Sequence, residues 1–230
     1  MNEAIVDTVN AYLSKQFECK QFLAAVLVFF QEHPDLHDKV APVVHSVKSR
    51  LKDPQHLAEK IRRKMEDGRT INSDNLFSEI TDLIGVRILH LYQEQITVIN
   101  SAIHTKVSSG DWVFVEEPKA LTWDPESIDF YRALGIKTEI RPSLYTSIHY
   151  VIKPNNSNII CCEIQVRTLF EEIWGEIDHV INYPTPTDSL ACREQLRVLA
   201  KLVSTGTRLA DSIFRTNGDH LKRADIRQDL

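Results

Sequence analysis

Apolar and polar positions follow two periods along this chain, and the switches between them predict its elements. Residues 2–32 read as one or two helices, with Ile5, Val9, Tyr12 and Leu13 at helical spacing. The run Phe22–Phe30 is apolar nearly all round and is expected to be buried against the domain or a partner subunit. Pro34 ends this region, with a further helical turn or two expected between Asp35 and Val44. Val47–Leu51 reads as a short strand, and Asp53-Pro54 opens a helix to about Met65, Asp at the N-cap and Pro at the first helical position.

A short helix is expected over 72–80, capped by Asp74, then a buried strand over 86–91. Residues 93–108 carry Ile96, Ile99, Ile103 and Val107 on one helical face. A strand at 112–115 leads into a loop-rich stretch, 116–137, of the kind that approaches substrates, and 138–141 form another strand. Leu144–Ile152 alternates, turns at Pro154-Asn155-Asn156 and returns through Ile159–Val166 as a hairpin. A helix over 169–182 has Leu169, Phe170, Ile173, Trp174, Ile177 and Ile181 at core spacing, and Glu172, Glu176, His179 and Tyr183 on another stripe. A last helix, 187–216, points Leu196, Leu199, Leu202 and Val203 inward; the tail after Gly218 is polar, disordered or a final helical turn. Strands alternating with helices predict a layered α/β fold.

Composition narrows the class without naming a chemistry. With 230 residues, 43% hydrophobic and 26% charged, the chain can bury a real core as one domain with helical extensions. It contains no run of eighteen apolar residues and no signal-peptide pattern, so no membrane partner and a cytoplasmic location are expected. The four cysteines form no C-x-x-C pair and read as small buried hydrophobes. A net charge of −5 argues against general nucleic-acid binding. It conceals a local excess: Lys48 to Lys64 holds seven basic residues against two acidic ones. A solvated helix face accounts for Lys60–Lys64, but a phosphate clamp also accounts for Arg50-x-Lys52 on the preceding strand. His37-Asp38 has no other His/Asp cluster near it and carries no phosphohydrolase reading.

Candidate chemistry concentrates on three strand faces. Alternation sets Glu163, Gln165 and Arg167 in a row about 7 Å apart. Tyr145, Ser147 and His149 share a second face, and Arg50 and Lys52 a third. Asp82 stands at the entrance to the 86–91 strand, as a cap or a metal ligand. Side by side, these faces would make one polar floor suited to nucleotide phosphates with Mg²⁺. There is no Walker A loop and no Gly-x-Gly-x-x-Gly after a strand, so phosphate recognition falls to side chains.

Arg50-x-Lys52 with Lys60, Asp82-Leu-Ile-Gly-Val-Arg87, Tyr145-x-Ser147-x-His149, Glu163-Ile-Gln165-Val-Arg167-Thr168, and Trp174 and His179 before Tyr183 resemble, in order and spacing, the RelA/SpoT-type alarmone synthetase domain. The resemblance spans roughly residues 45–185, leaving a helical extension, 1–44, and a helix and tail, 186–230. It implies a nucleotidyltransferase-like mixed sheet of about five strands flanked by helices, in a small, synthetase-only form. It also implies transfer of pyrophosphate from ATP to the ribose 3′-hydroxyl of GTP or GDP, in stringent-response signalling. Carried over residue by residue, Asp82 would bind Mg²⁺, with Glu163 a second carboxylate that binds metal or activates the hydroxyl. Arg50, Lys52, Lys60 and Arg87 would hold the ATP phosphates. Tyr145 would stack on guanine, with His149, Gln165, Arg167 and His179 around the acceptor.

The chain departs from the family pattern at His56-Leu57, at Leu144 in place of Gly, and at Pro184 in place of Lys, the last two on the acceptor side. Two other readings stay open: a relative that modifies ATP or the tRNA 3′ end, the one case with a nucleic-acid partner, or a nucleotide-binding module without turnover. The helices outside the motif span suit a homo-oligomer interface or plain core packing.

Overall fold

The structure, a computed structural model, describes residues 3–37 and 42–228. Its centre is a mixed seven-stranded sheet: β1 (Ser46–Leu51), β2 (Ile84–His90), β3 (Val113–Phe114), β4 (Lys119–Thr122), β5 (Lys137–Ile140), β6 (Ser147–Lys153) and β7 (Cys162–Thr168). The order is β1-β2-β7-β6-β4-β5, with β3 paired to the far end of β6. β2 and β7 run parallel; β1 and β6 flank them antiparallel. The α/β expectation holds, with seven strands rather than five.

One face of the sheet is the core. Ile84, Val86, Ile88, Ile148, Tyr150, Ile152, Ile164 and Val166 are nearly inaccessible, as period-2 alternation requires. Helices α1 (Glu3–Ser14) and α2 (Gln16–Glu32) add Ile5, Tyr12, Cys19, Phe22, Val26, Phe29 and Phe30 to the same cluster. Only one side of the Phe22–Phe30 run is covered, since Val28 stays exposed. α3 (Pro54–Glu66) begins as expected, Asp53 accepting the Gln55 and His56 amides. α5 (Ile96–Ser108) packs on Ile96, Ile99 and Ile103.

Several expectations are corrected. The 72–80 segment is a turn on Asn72, followed by a single helical turn, α4 (Leu76–Glu79). Between Asp35 and Val44 the described residues show a short 3-10 turn, Pro34–Leu36; residues 38–41, including Asp38, lie outside the described residues. The 116–137 stretch is not irregular: it contains β4 and α6 (Pro125–Ala133), whose N-terminus Asp124 caps. Asp124-Pro125 is the same signal that announced α3. The final helix, α8 (Leu190–Gln228), continues well beyond Gly218. No described helix is long and apolar enough to cross a membrane.

The largest correction concerns α7 (Leu169–Asn182). Of its apolar stripe only Trp174 is buried; Phe170, Ile173, Ile177 and Ile181 are exposed, and Glu171 and Glu172 are buried instead. Leu202 of α8 is likewise exposed. The helix is rotated because its acids have stronger partners inside. Glu171 closes a capping box with Thr168, and Glu172 meets three cations of the sheet floor.

Candidate active site

The face of the sheet opposite the core carries the expected polar floor. Register places Lys48, Arg87, Gln165 and His149 in one row across β1, β2, β7 and β6. The next row is Arg50, Gly85 and Glu163. The Arg50 chain crosses over Gly85: a Cβ there would lie 3.4 Å from Arg50 Cγ, at ordinary contact distance.

Two buried carboxylates each gather three cations. Asp82, just before β2, has Lys60 Nζ 2.7 Å from Oδ1, Lys52 Nζ 3.0 Å from Oδ2 and Arg50 Nη2 at 3.9 Å. Burial raises its carboxyl pKa, but Lys60 and Lys52 outweigh that and hold it below the ordinary value. Glu172 has Lys48 Nζ at 2.7 Å, Arg87 Nη1 at 2.8 Å and Arg167 Nε at 3.2 Å, one from each of β1, β2 and β7. Its carboxyl too is pushed up by burial and pulled further down by these cations. Arg87 Nη1 also lies 2.6 Å from Glu176 Oε1, one turn along α7.

Between the two clusters runs a hydrogen-bonded chain. Gln165 Nε2 donates to Glu163 Oε2 at 3.0 Å, and Arg167 Nη2 donates to Gln165 Oε1 at 3.0 Å. His149 Nδ1 is 3.2 Å from Glu163 Oε1, and Nε2 is 3.3 Å from the Tyr145 hydroxyl. A carboxylate can only accept, so Nδ1 carries the proton. The Arg167 guanidinium sits 5.4 Å from the Tyr145 ring centroid, closing the chain into a loop. Burial pushes the Glu163 carboxyl up, but His149 and Gln165 together hold it below its ordinary value against the nearby Asp82 charge.

The floor opens into two adjoining spaces. One, of about 190 Å³, lies over β1, β2 and β7 and is lined by Lys48, Arg50, Gly85, Arg87, Glu163 and Gln165. The other, of about 590 Å³, runs under α7 past Arg87, Tyr145, Arg167, Glu176, His179 and Tyr183. Arg50, Arg87 and Gln165 line both. His179 stacks on Tyr183, ring centroids 4.7 Å apart, at the wall of the larger space.

Thus Arg50, Lys52, Lys60 and Asp82 converge in one cluster, and Tyr145, His149, Glu163, Gln165 and Arg167 in another. Arg87 reaches toward α7, away from Asp82, and His179 stands apart on the far wall. Sequence reasoning passed over Lys48, Glu172 and Glu176 as site residues. Lys48 could have been found, since it shares the face of Arg50 two residues on.

No group of three His, Cys, Asp or Glu suited to a metal occurs among the described residues. Mg²⁺ asks for less, one or two carboxylates with substrate phosphates and water completing its shell. Asp82 Oδ1 is buried without a hydrogen bond of good geometry despite the nearby Lys60, and Glu163 is close enough to feel its charge. That donor set fits.

Comparison with known proteins shows the family and the fold. The profile of the region found in RelA / SpoT proteins matches residues 49–188. GTP pyrophosphokinase YwaC of Bacillus subtilis (strain 168) is 25% identical over 187 residues, 79% of this chain and 78% of that protein. The fold is shared with the small alarmone synthetase 1 from Bacillus subtilis bound to its product pppGpp (TM-score 0.65, 21% identity, 89% of this chain and 98% of that one). It is also shared with a GTP pyrophosphokinase family protein from Streptococcus pneumoniae (TM-score 0.64, 18% identity, 97% of each chain). With the profile covering more than half of the chain, the protein belongs to the RelA/SpoT family.

Proposed function

We propose that this protein transfers pyrophosphate from ATP to the ribose 3′-hydroxyl of GTP or GDP, making a (p)ppGpp-type alarmone and AMP. One observation carries the reading: two adjoining spaces meet over a shared floor of Arg50, Arg87 and Gln165. The small alarmone synthetase 1 from Bacillus subtilis, solved once with AMPCPP and once with its product pppGpp, supports the assignment of donor and product.

In this reaction the 3′-oxygen bonds to the β-phosphorus while the bond from that phosphorus to the oxygen bridging it to the α-phosphate breaks. AMP leaves with that oxygen. The smaller space takes the ATP phosphates against Lys48, Arg50 and Arg87, with Lys52 and Lys60 behind them. These cations stabilise the charge that develops on the departing AMP. The larger space takes the guanine nucleotide, its base against Tyr145 and its ribose and phosphates near Gln165, Arg167 and His179. Glu163 lines the smaller space beside Gln165 as an ionised carboxylate oriented by His149 and Gln165, placed to receive the hydroxyl proton. Mg²⁺ held by Asp82 and Glu163 would supply further neutralisation of the triphosphate.

The test is a product assay with ATP labelled at the β-phosphate, offered GDP, GTP, ATP or tRNA. Label is expected on GDP or GTP with release of AMP, and Glu163→Gln is expected to lower the rate at least about a hundredfold. Label on tRNA or ATP alone, or an undiminished rate in the variant, would overturn the reading.

A further inference from the structure

Arg87 is held by two carboxylates of unlike standing. Both meet the same nitrogen, Nη1: Glu172 Oε1 at 2.8 Å and Glu176 Oε1 at 2.6 Å. The Glu172 side chain is 7% exposed and shares its charge with Lys48 and Arg167, so it cannot leave without stranding the buried Arg167. The Glu176 side chain is 56% exposed and, among the described residues, has Arg87 as its one ion-pair partner. It also lines the larger space, at the point where that space shares Arg87 with the smaller one.

A phosphate arriving at the remaining guanidinium nitrogens would therefore share one cation with an exposed carboxylate. Two anions on one guanidinium repel, and the one that can rotate into water at little cost is Glu176. We propose that Glu176 is a displaceable counter-ion: it occupies Arg87 in the free groove, is expelled by an incoming polyphosphate, and thereby sets the affinity for that ligand. Glu172, one turn earlier on the same helix, is the fixed anchor that keeps Arg87 aimed at the junction. The inference rests on the phosphate-binding reading of the groove given above, and it assigns opposite effects to two like residues.

Inorganic tripolyphosphate is the probe, titrated calorimetrically into the full chain. Glu176→Gln is expected to bind it about two- to fivefold more tightly than the wild type, the gain shrinking as salt is raised. Glu172→Gln is expected to bind it about tenfold or more weakly. A purely structural role for the two acids would weaken binding in both. Unchanged or weaker binding by Glu176→Gln, or no binding by any form, overturns the proposal. Should Glu172→Gln not fold, Glu176→Asp decides alone: it withdraws the carboxylate from Arg87 while keeping its charge, and its affinity is expected between wild type and Glu176→Gln. Equal affinity of Glu176→Asp and Glu176→Gln would then overturn the proposal. If tripolyphosphate behaves as expected while no labelled nucleotide forms, the pyrophosphate-transfer reading fails and this one stands. Product formation with an unresponsive affinity has the reverse meaning.

Discussion

Gly175 of α7 lies directly over the Arg167 guanidinium: a Cβ at this glycine would come 2.6 Å from Nη1. The helix tolerates a residue of poor helical propensity because the buried arginine needs the space. Gly175→Ala therefore sets two effects against each other. Propensity alone would stabilise the helix by about 1 kcal/mol. Moving Arg167, which is 3% exposed and bonded to Gln165, would loosen a buried charge from its partners, with stranding it outright, at about 3–5 kcal/mol, as the upper limit. The second wins. Gly175→Ala is expected to unfold at lower denaturant and to lose product formation. A more stable variant with full activity would show that Arg167 has room elsewhere.

Leu144, immediately before Tyr145, holds a φ of +63°, the left-handed region that disfavours side chains. Its side chain compensates by packing near Trp174, Ala200 and Val203. Leu144→Ala removes the packing and keeps the strain, whereas Leu144→Gly removes both. The glycine variant is expected to be the more stable of the two by about 1 kcal/mol, the reverse of the usual order. Denaturant midpoints of the pair decide it. Alanine equal to or above glycine would mean that the backbone here relaxes when the leucine is gone.

Glu171 titrates differently from its neighbour. Burial pushes its carboxyl up to about 7, despite the Thr168 amide and hydroxyl and Arg167, which pull it down. Between the ordinary value, 4.5, and about 7 the folded chain holds a proton that the unfolded chain has lost. Stability from this group is complete at low pH and falls as pH rises through that window, by on the order of 1–3 kcal/mol. Buried His90, lowered to about 4, contributes in the opposite sense between pH 4 and its ordinary 6.5. Glu171→Gln keeps an acceptor for the Thr168 amide and cannot titrate, and His90 is common to both proteins. Plotted as the difference between variant and wild type, stability should therefore rise toward pH 7 and level off above it. A flat difference would show that Glu171 is ionised in the fold at all these pH values.

Much of the site was legible in the chain. Period-2 alternation alone put Glu163, Gln165 and Arg167 on one face and Ile164 and Val166 on the other, because a strand's side chains must alternate whatever lies beside it. Asp53-Pro54 announced α3 for an equally local reason, and Asp124-Pro125 offered the same signal for α6, overlooked among the prolines and glycine of a stretch read as loop. Which strands lie side by side was decided only by the tertiary structure. The parallel pairing of β2 with β7 brings Arg87 beside Gln165 although 78 positions separate them in sequence. The rotation of α7 was decided there as well. Its sequence carries a wide apolar stripe and an acidic one, and periodicity favours burying the first. Three cations waiting on the sheet floor, each from a different strand, turn the acidic side inward. No local pattern records them.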